Sequence, residues 1–371
     1  MAPDEVNETM DENGAATVDH GDDRDGAMVV RLRPGERLRA VLGSRTAMIV
    51  ALVALAAVFV IAAVARGLPP DRLLSLLVRG VLLGGMLSLG AVGVTLVFGV
   101  LKMANFAHGD FMTLGAYLGL IAVTFLPTGA PIGPFSFGYE FLVGLLVAMP
   151  LVGLVAFGLD RITFRRLRQR RSAPIMHAMA ALGIAFGIRS LIYIVWGADF
   201  SFYYTGRARP AFELFAGVRV RPDQIFILAL SVVLIVAVYL LLERTKIGKA
   251  MRATADNPDL ARVSGIDTDR VVFWTWLIGG SLAAAGGMLY GLDAQLRPEM
   301  GWWLLLPLFA SVILGTIGNP YGALGGAFII GIVWQMSTAF VNPAYGHGMA
   351  FLVMILVLLV RPQGLFGKRG G

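Results

Sequence analysis

The chain has no cysteine among its 371 residues, which excludes disulfides, thiolate metal sites and cysteine nucleophiles. Its four histidines, His20, His108, His177 and His347, are scattered and form no ligand spacing, so no metal site is expected. Charged residues make up 15%, against roughly 25% in a soluble domain. A phosphate-cradling G-x-x-x-x-G-K-[ST] loop is absent, since Gly248-Lys249 and Gly367-Lys368 lack the upstream glycine. The chain is therefore not expected to bind ATP itself. Nor is there a serine elbow, a pair of catalytic carboxylates or a metal cluster, so an enzyme is not expected. The net charge of +7 is not arranged as a basic face with interleaved aromatics, so nucleic acid is not an expected partner.

What is abundant is apolar sequence. Hydrophobic residues make up 57% and the mean hydropathy is +0.74. They stand in blocks, and a bilayer is crossed by about 20 such residues in a helix. Blocks lie at 46–65, 80–101, 110–126, 140–160, 174–196, 223–243, 271–292, 303–317, 321–341 and 348–361. The fold class this predicts is all-α, a polytopic membrane helix bundle of about eight to ten membrane helices, with broken or re-entrant segments where blocks are short.

Residues 1–26 are acidic and read as a disordered tail. Residues 27–45 form a basic juxtamembrane segment, 46–367 the membrane domain and 368–371 a short tail. Basic loops stay in the cytoplasm. That rule puts 31–45, the six arginines of 161–171, the stretch 244–270 and both termini inside. The loop 197–222, with Arg207, Arg209, Arg219 and Arg221, fits the rule less well. Small-xxx-small pairs at Gly80/Gly84, Gly115/Gly119, Gly183/Gly187 and Gly287/Gly291, with the series Gly318/Gly322/Gly326, predict close helix packing.

The polar stretch 243–270 carries helix punctuation. Asp256 reads as an N-cap, Pro258 falls in the first turn, and Asp259 follows three residues after the cap. Gly265 stands where a left-handed C′ residue ends a helix. The prediction is a short helix over about 257–264, delimited at both ends. A mere connector does not need that; a lever pushed by a partner does.

A second polar string, Asn105-Phe-Ala-His-Gly-Asp110, interrupts an apolar region running from Leu73 to Leu126. Irregular backbone at membrane depth survives only against protein or water. A half-helix starting there presents N–H groups to an anion, with Asn105 and His108 adding hydrogen bonds. Alternatively, Asn105 and Asp110 cap helix ends and His108 bonds a carbonyl. Arg189 lies within an apolar run and reads either as a functional site or as a residue that pairs or snorkels. Asp293 and Glu299, at the outer mouth, read as solvated loop charges or else as contacts for a binding protein, and Trp302 and Trp303 as interfacial anchors.

Four stretches together carry a family resemblance. They are 243–270, the string 105–110, Leu314-Gly-Thr-Ile-Gly-Asn-Pro-Tyr-Gly-Ala-Leu-Gly-Gly326, and the ending Leu359-Val-Arg-Pro-Gln-Gly-Leu-Phe-Gly367. From about residue 75 onward the chain resembles the branched-chain amino acid permeases of ATP-binding-cassette importers. It departs from them at Gly318-Asn-Pro-Tyr-Gly322, where a serine or leucine more often precedes the proline.

The resemblance implies an ATPase-coupling loop at Arg252, Ala253, Asp256, Asn257, Pro258, Leu260, Ala261, Gly265, Ile266 and Asp267. Candidate residues of the translocation pathway are Asn105, His108, Asp110, Arg189 and Asn319. It also implies a second homologous permease subunit, two cytoplasmic ATPase subunits that hold ATP and Mg, and an extracytoplasmic solute-binding protein. The location implied is a bacterial inner membrane, and the substrate is leucine, isoleucine or valine, with urea or a short amide as the alternative. An ATP-independent secondary transporter or channel is the competing class. The scarcity of Asp, Glu and Lys at span centres counts against it.

Overall fold

The computed structural model describes residues 57, 59, 61, 65–127, 129–204, 210–215 and 217–367. The acidic tail, the basic segment, most of the first apolar block and 368–371 lie outside the described residues.

The described chain is a helix bundle. Pro70–Leu101 (α1) starts with proline in its first turn and Asp71 beside it, and ends at Lys102 in the left-handed conformation, φ 52. His108–Phe125 forms α2. Tyr139–Gln169 (α3) contains Pro150 and a π-turn at Asp160–Phe164. Pro174–Trp196 (α4) leads to a small hairpin of Phe212–Phe215 (β1) and Val218–Val220 (β2). Pro222–Arg244 (α5), Lys246–Asp256 (α6), Pro258–Val263 (α7) and Thr268–Asp293 (α8) follow. The last three are Met300–Gly315 (α9), Pro320–Ser337 (α10) and Gly346–Val360 (α11).

Among the described residues five helices, α1, α3, α4, α5 and α8, are long and apolar enough to cross a membrane. The chain is a multi-pass membrane protein with an all-α fold. α1 is longer than the block at 80–101 implied, because its first ten residues are helical despite Asp71, Arg72 and Arg79. The arginine-rich 161–171 is mostly a helical extension of α3 rather than a loop. There Asp160, buried to 1%, is held by Arg168 through two bonds of 2.7 and 2.8 Å.

The core lies between α1 and α8, whose membrane windows are 89% and 72% buried, against 22% for α4 and α5. Small residues bring backbones together there, since lipid provides no hydrophobic drive for association. A Cβ on Gly80 would lie 2.6 Å from the Ile332 Cα, and one on Gly84 2.8 Å from that of Phe328. α1 and α10 therefore touch backbone to backbone. Gly115 meets Ala284, Gly287 meets Met112, and Gly322 and Gly326 meet Gly315 and Ser311. Gly183 and Gly187 differ, for no described atom lies within 4 Å of a Cβ placed on either. Their face of α4 packs on nothing among the described residues.

The bundle has two distinct ends. One gathers α6, α7, the end of α3 and the residues after α11, with Arg165 reaching Asp269 on α8 at 3.0 Å. At the other, Ser201 and Leu296 pair backbones at 3.1 and 2.8 Å, and Asp223 Oδ1 accepts Ser136 N–H at 2.8 Å. Arg221 and Gln224 both donate to Asp293, and Tyr193 donates to Glu299 at 3.0 Å. The tryptophan pair splits there, with Trp303 half-exposed and Trp302 over a cation.

Candidate coupling lever and buried helix break

The lever begins where α5 stops. Thr245, in extended conformation, accepts Gly248 N–H on its hydroxyl at 3.1 Å and so caps α6. Met251 of α6 is buried to 2%. Arg252 turns back to donate to the Leu242 carbonyl at 2.7 Å and pairs with Glu243 at 2.8 Å. The carbonyl of Ala253 accepts the Asn257 N–H at 3.1 Å.

The cap of α7 is Asn257, not Asp256. Its side-chain oxygen accepts from Asp259 N at 3.1 Å and Leu260 N at 3.0 Å. The cause is Pro258, which drives the residue before it out of the helical region. Asn257 accordingly sits at φ −151, ψ 104, while Asp256 stays in α6 as its last residue. Asp259 then falls at the second helical position, so no capping box forms.

Gly265 takes φ +84. It donates to Arg262 O at 3.1 Å and Ile266 to Ala261 O at 3.0 Å, the paired bonds of a Schellman end. Asp267 caps α8 through Arg270 N at 3.1 Å. Ala261 faces inward, 4% exposed, and Ile266 packs on the core. Leu260 and Val263 face out, 61% and 81% exposed. The result is a rigid helix, fastened at both ends, with an apolar tip.

The second polar string is buried. His108 opens α2 with its ring against Gly93 and close to Gly279; a Cβ on Gly93 would lie 2.8 Å from His108 Nε2. Both glycines lie within the runs of α1 and α8, so α2 begins part-way along the bundle, and the break runs inward from the exposed Lys102 to the buried Ala107. Asn105, 1% exposed, accepts Ala107 N–H on Oδ1 at 3.1 Å. Its Nδ2 and both ring nitrogens of His108 are buried and have no protein partner among the described residues.

Asp110 and Arg189 meet. Nε and Nη2 of Arg189 donate to the two carboxylate oxygens, each at 3.0 Å, with side-chain exposures of 0% and 12%. The guanidinium also lies 4.9 Å from the Trp302 ring and 5.4 Å from that of Phe186. Arg189 therefore pairs rather than snorkels. Gly109 abuts the backbone of Gly301, so the start of α2 is covered by α9 and its own Asp110 supplies the anion in the first turn. Asn319 stands apart from this group. It caps α10 at the lever end, accepting Tyr321 N at 3.1 Å and Gly322 N at 3.2 Å.

Sequence reasoning places Tyr321 and Glu243 in family-like stretches without giving either a role; their side chains bond at 2.6 Å. It passed over Trp276, fully buried on α8, with its ring stacked 5.8 Å from Phe164. Neither carries a signal before its partner is known.

A membrane bundle with an internal break and a solvent-exposed capped lever belongs to the class of multi-pass transport permeases. Residues 76–358 match the family described as branched-chain amino acid transport system / permease component, and the chain belongs to that family. Among curated proteins it is 29% identical over 301 residues to the high-affinity branched-chain amino acid transport system permease protein LivH of Escherichia coli K12, covering 78% of this chain and 94% of that one. BraD of Pseudomonas aeruginosa, described in the same words, is 28% identical over 299 residues, with coverages of 79% and 95%. A probable LivH of Methanocaldococcus jannaschii is 28% identical over 302 residues, with coverages of 77% and 90%.

Proposed function

We propose that this chain is the membrane-spanning permease subunit of an ATP-binding-cassette importer for branched-chain amino acids. The observation that carries the reading is α7, capped at both ends and presenting Leu260 and Val263 to solvent. The lever end faces the cytosol, as the positive charge of 161–171 and 244–270 requires, and α7 seats in a groove of a cytoplasmic ATPase. Two ATPases, holding ATP and Mg, drive two permease subunits between inward- and outward-facing states, and an extracytoplasmic binding protein delivers the substrate at the far end. Leucine, isoleucine or valine is the substrate that the relatives' names favour.

An ion-coupled carrier needs an uncommitted carboxylate at mid-membrane. Asp110, the buried acid at the helix break, is instead neutralised by Arg189, which favours the ATP-driven class. Asn105 and His108 are the pathway candidates at the break. Uptake kinetics of His108→Ala decide between the two readings of that residue: a change places the ring in the pathway, and normal kinetics leave it a packing residue of the break.

The test is reconstitution. Leucine uptake into vesicles is expected only with ATPases, binding protein and ATP all present, and competition by valine but not urea assigns the substrate. Uptake against a gradient by the permease alone overturns the reading.

A further inference from the structure

One polar contact joins the lever to α10, between side chains of two family-like stretches that the resemblance left without a shared role. Tyr321, in the first turn of α10, donates its hydroxyl to Glu243 Oε1 at 2.6 Å. The other oxygen of Glu243 takes Arg252 Nη1 at 2.8 Å, and Arg252 belongs to α6. The ring of Tyr239 meets that of Tyr321 edge-on, 5.7 Å between centroids. Arg252 and Tyr321 also wall a half-open pocket of about 80 Å³, which is lined besides by Thr95, Val100, Leu242 and Met251 and so lies between α1, α5 and α6.

The α10 side of the bridge is anchored. Gly318 N–H donates to Thr95 Oγ1 of α1 at 3.1 Å. Residues 361–367 return across the turn as a strap, with Thr316 Oγ1 donating to Gln363 O at 2.9 Å and Leu365 N to Leu314 O at 2.7 Å. Phe366 lies on Gly322 and Gly325. Beyond the turn, α10 touches α1 backbone to backbone through Gly80 and Gly84, so the two move together. A phenol–carboxylate bond is short and directional, suited to carrying displacement. Because the bridge is exposed, it contributes little to stability, and its loss leaves the fold intact.

We propose that Tyr321, acting through Glu243 and Arg252, is the positioning contact that passes movement of the lever into the α1–α10 pair. This rests on the lever reading above. The experiment uses the complete transporter in vesicles and reads leucine taken up per ATP hydrolysed, together with retention of the ATPases on purification. Tyr321→Phe and Glu243→Gln are each expected to lower uptake per ATP about tenfold with ATPase retention unchanged. The double variant is expected to lose no more than either single one, as members of one network do. Wild-type uptake per ATP in Tyr321→Phe, or additive losses in the double variant, overturns the proposal. A Leu260→Asp variant separates the two claims: if it keeps its ATPases, the lever reading fails, whatever Tyr321 does.

Discussion

The chain leaves regular membrane helix at 102–107 and again at 245–267, and it solves the same problem in opposite ways. At the first break only Lys102 is exposed; Asn105, His108 and Asp110 behind it are buried, and the protein supplies partners for several of their polar atoms. Asn105 caps its own turn, and Asp110 is clasped by Arg189 beneath two aromatic rings. At the second the polar groups face water, and Thr245, Asn257, Gly265 and Asp267 do no more than end and begin helices. Burial makes the first break a lock between α2 and α4. Exposure leaves the second free to present Leu260 and Val263 to a partner. The comparison assigns stability to one break and force transmission to the other.

It can be broken at several points. The largest effect is expected at the lock. Removing one member of a buried ion pair leaves an uncompensated charge and costs about 3–5 kcal/mol. Arg189→Gln should therefore unfold in detergent at a markedly lower temperature than the wild type, and adding Asp110→Asn should restore part of the loss. At the lever, Asn257→Ala should cost about 1 kcal/mol. Gly265→Ala should cost a similar amount, about 1 kcal/mol, because a side chain strains φ +84; thermal unfolding reads both. Leu260→Asp should leave that temperature unchanged, since the side chain is exposed, yet abolish ATPase co-purification. If Leu260→Asp destabilises while Arg189→Gln does not, the assignment is reversed.

Much of this was legible in the sequence. The block at 174–196 coincides with α4, and Pro258 and Gly265 mark the lever because each restricts backbone geometry locally. The cap was misplaced by one residue because Asp256 and Asn257 are both good capping residues, and only the effect of proline on its predecessor separates them. α6 was missed since it is short, polar on one face and held by its neighbours rather than by apolar periodicity. The Asp110–Arg189 pair spans 79 positions, and no local pattern joins them. Gly80/Gly84 and Gly183/Gly187 look alike as strings. Only the fold shows that the first pair meets α10 and the second meets nothing among the described residues. The hairpin at 212–220 was likewise hidden inside a loop.

The absence of cysteine allows the most direct test. A single Val263→Cys substitution provides the sole thiol in the chain, at a position 81% exposed. A membrane-impermeant maleimide is expected to label it in inside-out vesicles, not in right-side-out ones, and bound ATPase should block the labelling. Labelling from the extracellular side, or labelling indifferent to the ATPase, would contradict the account.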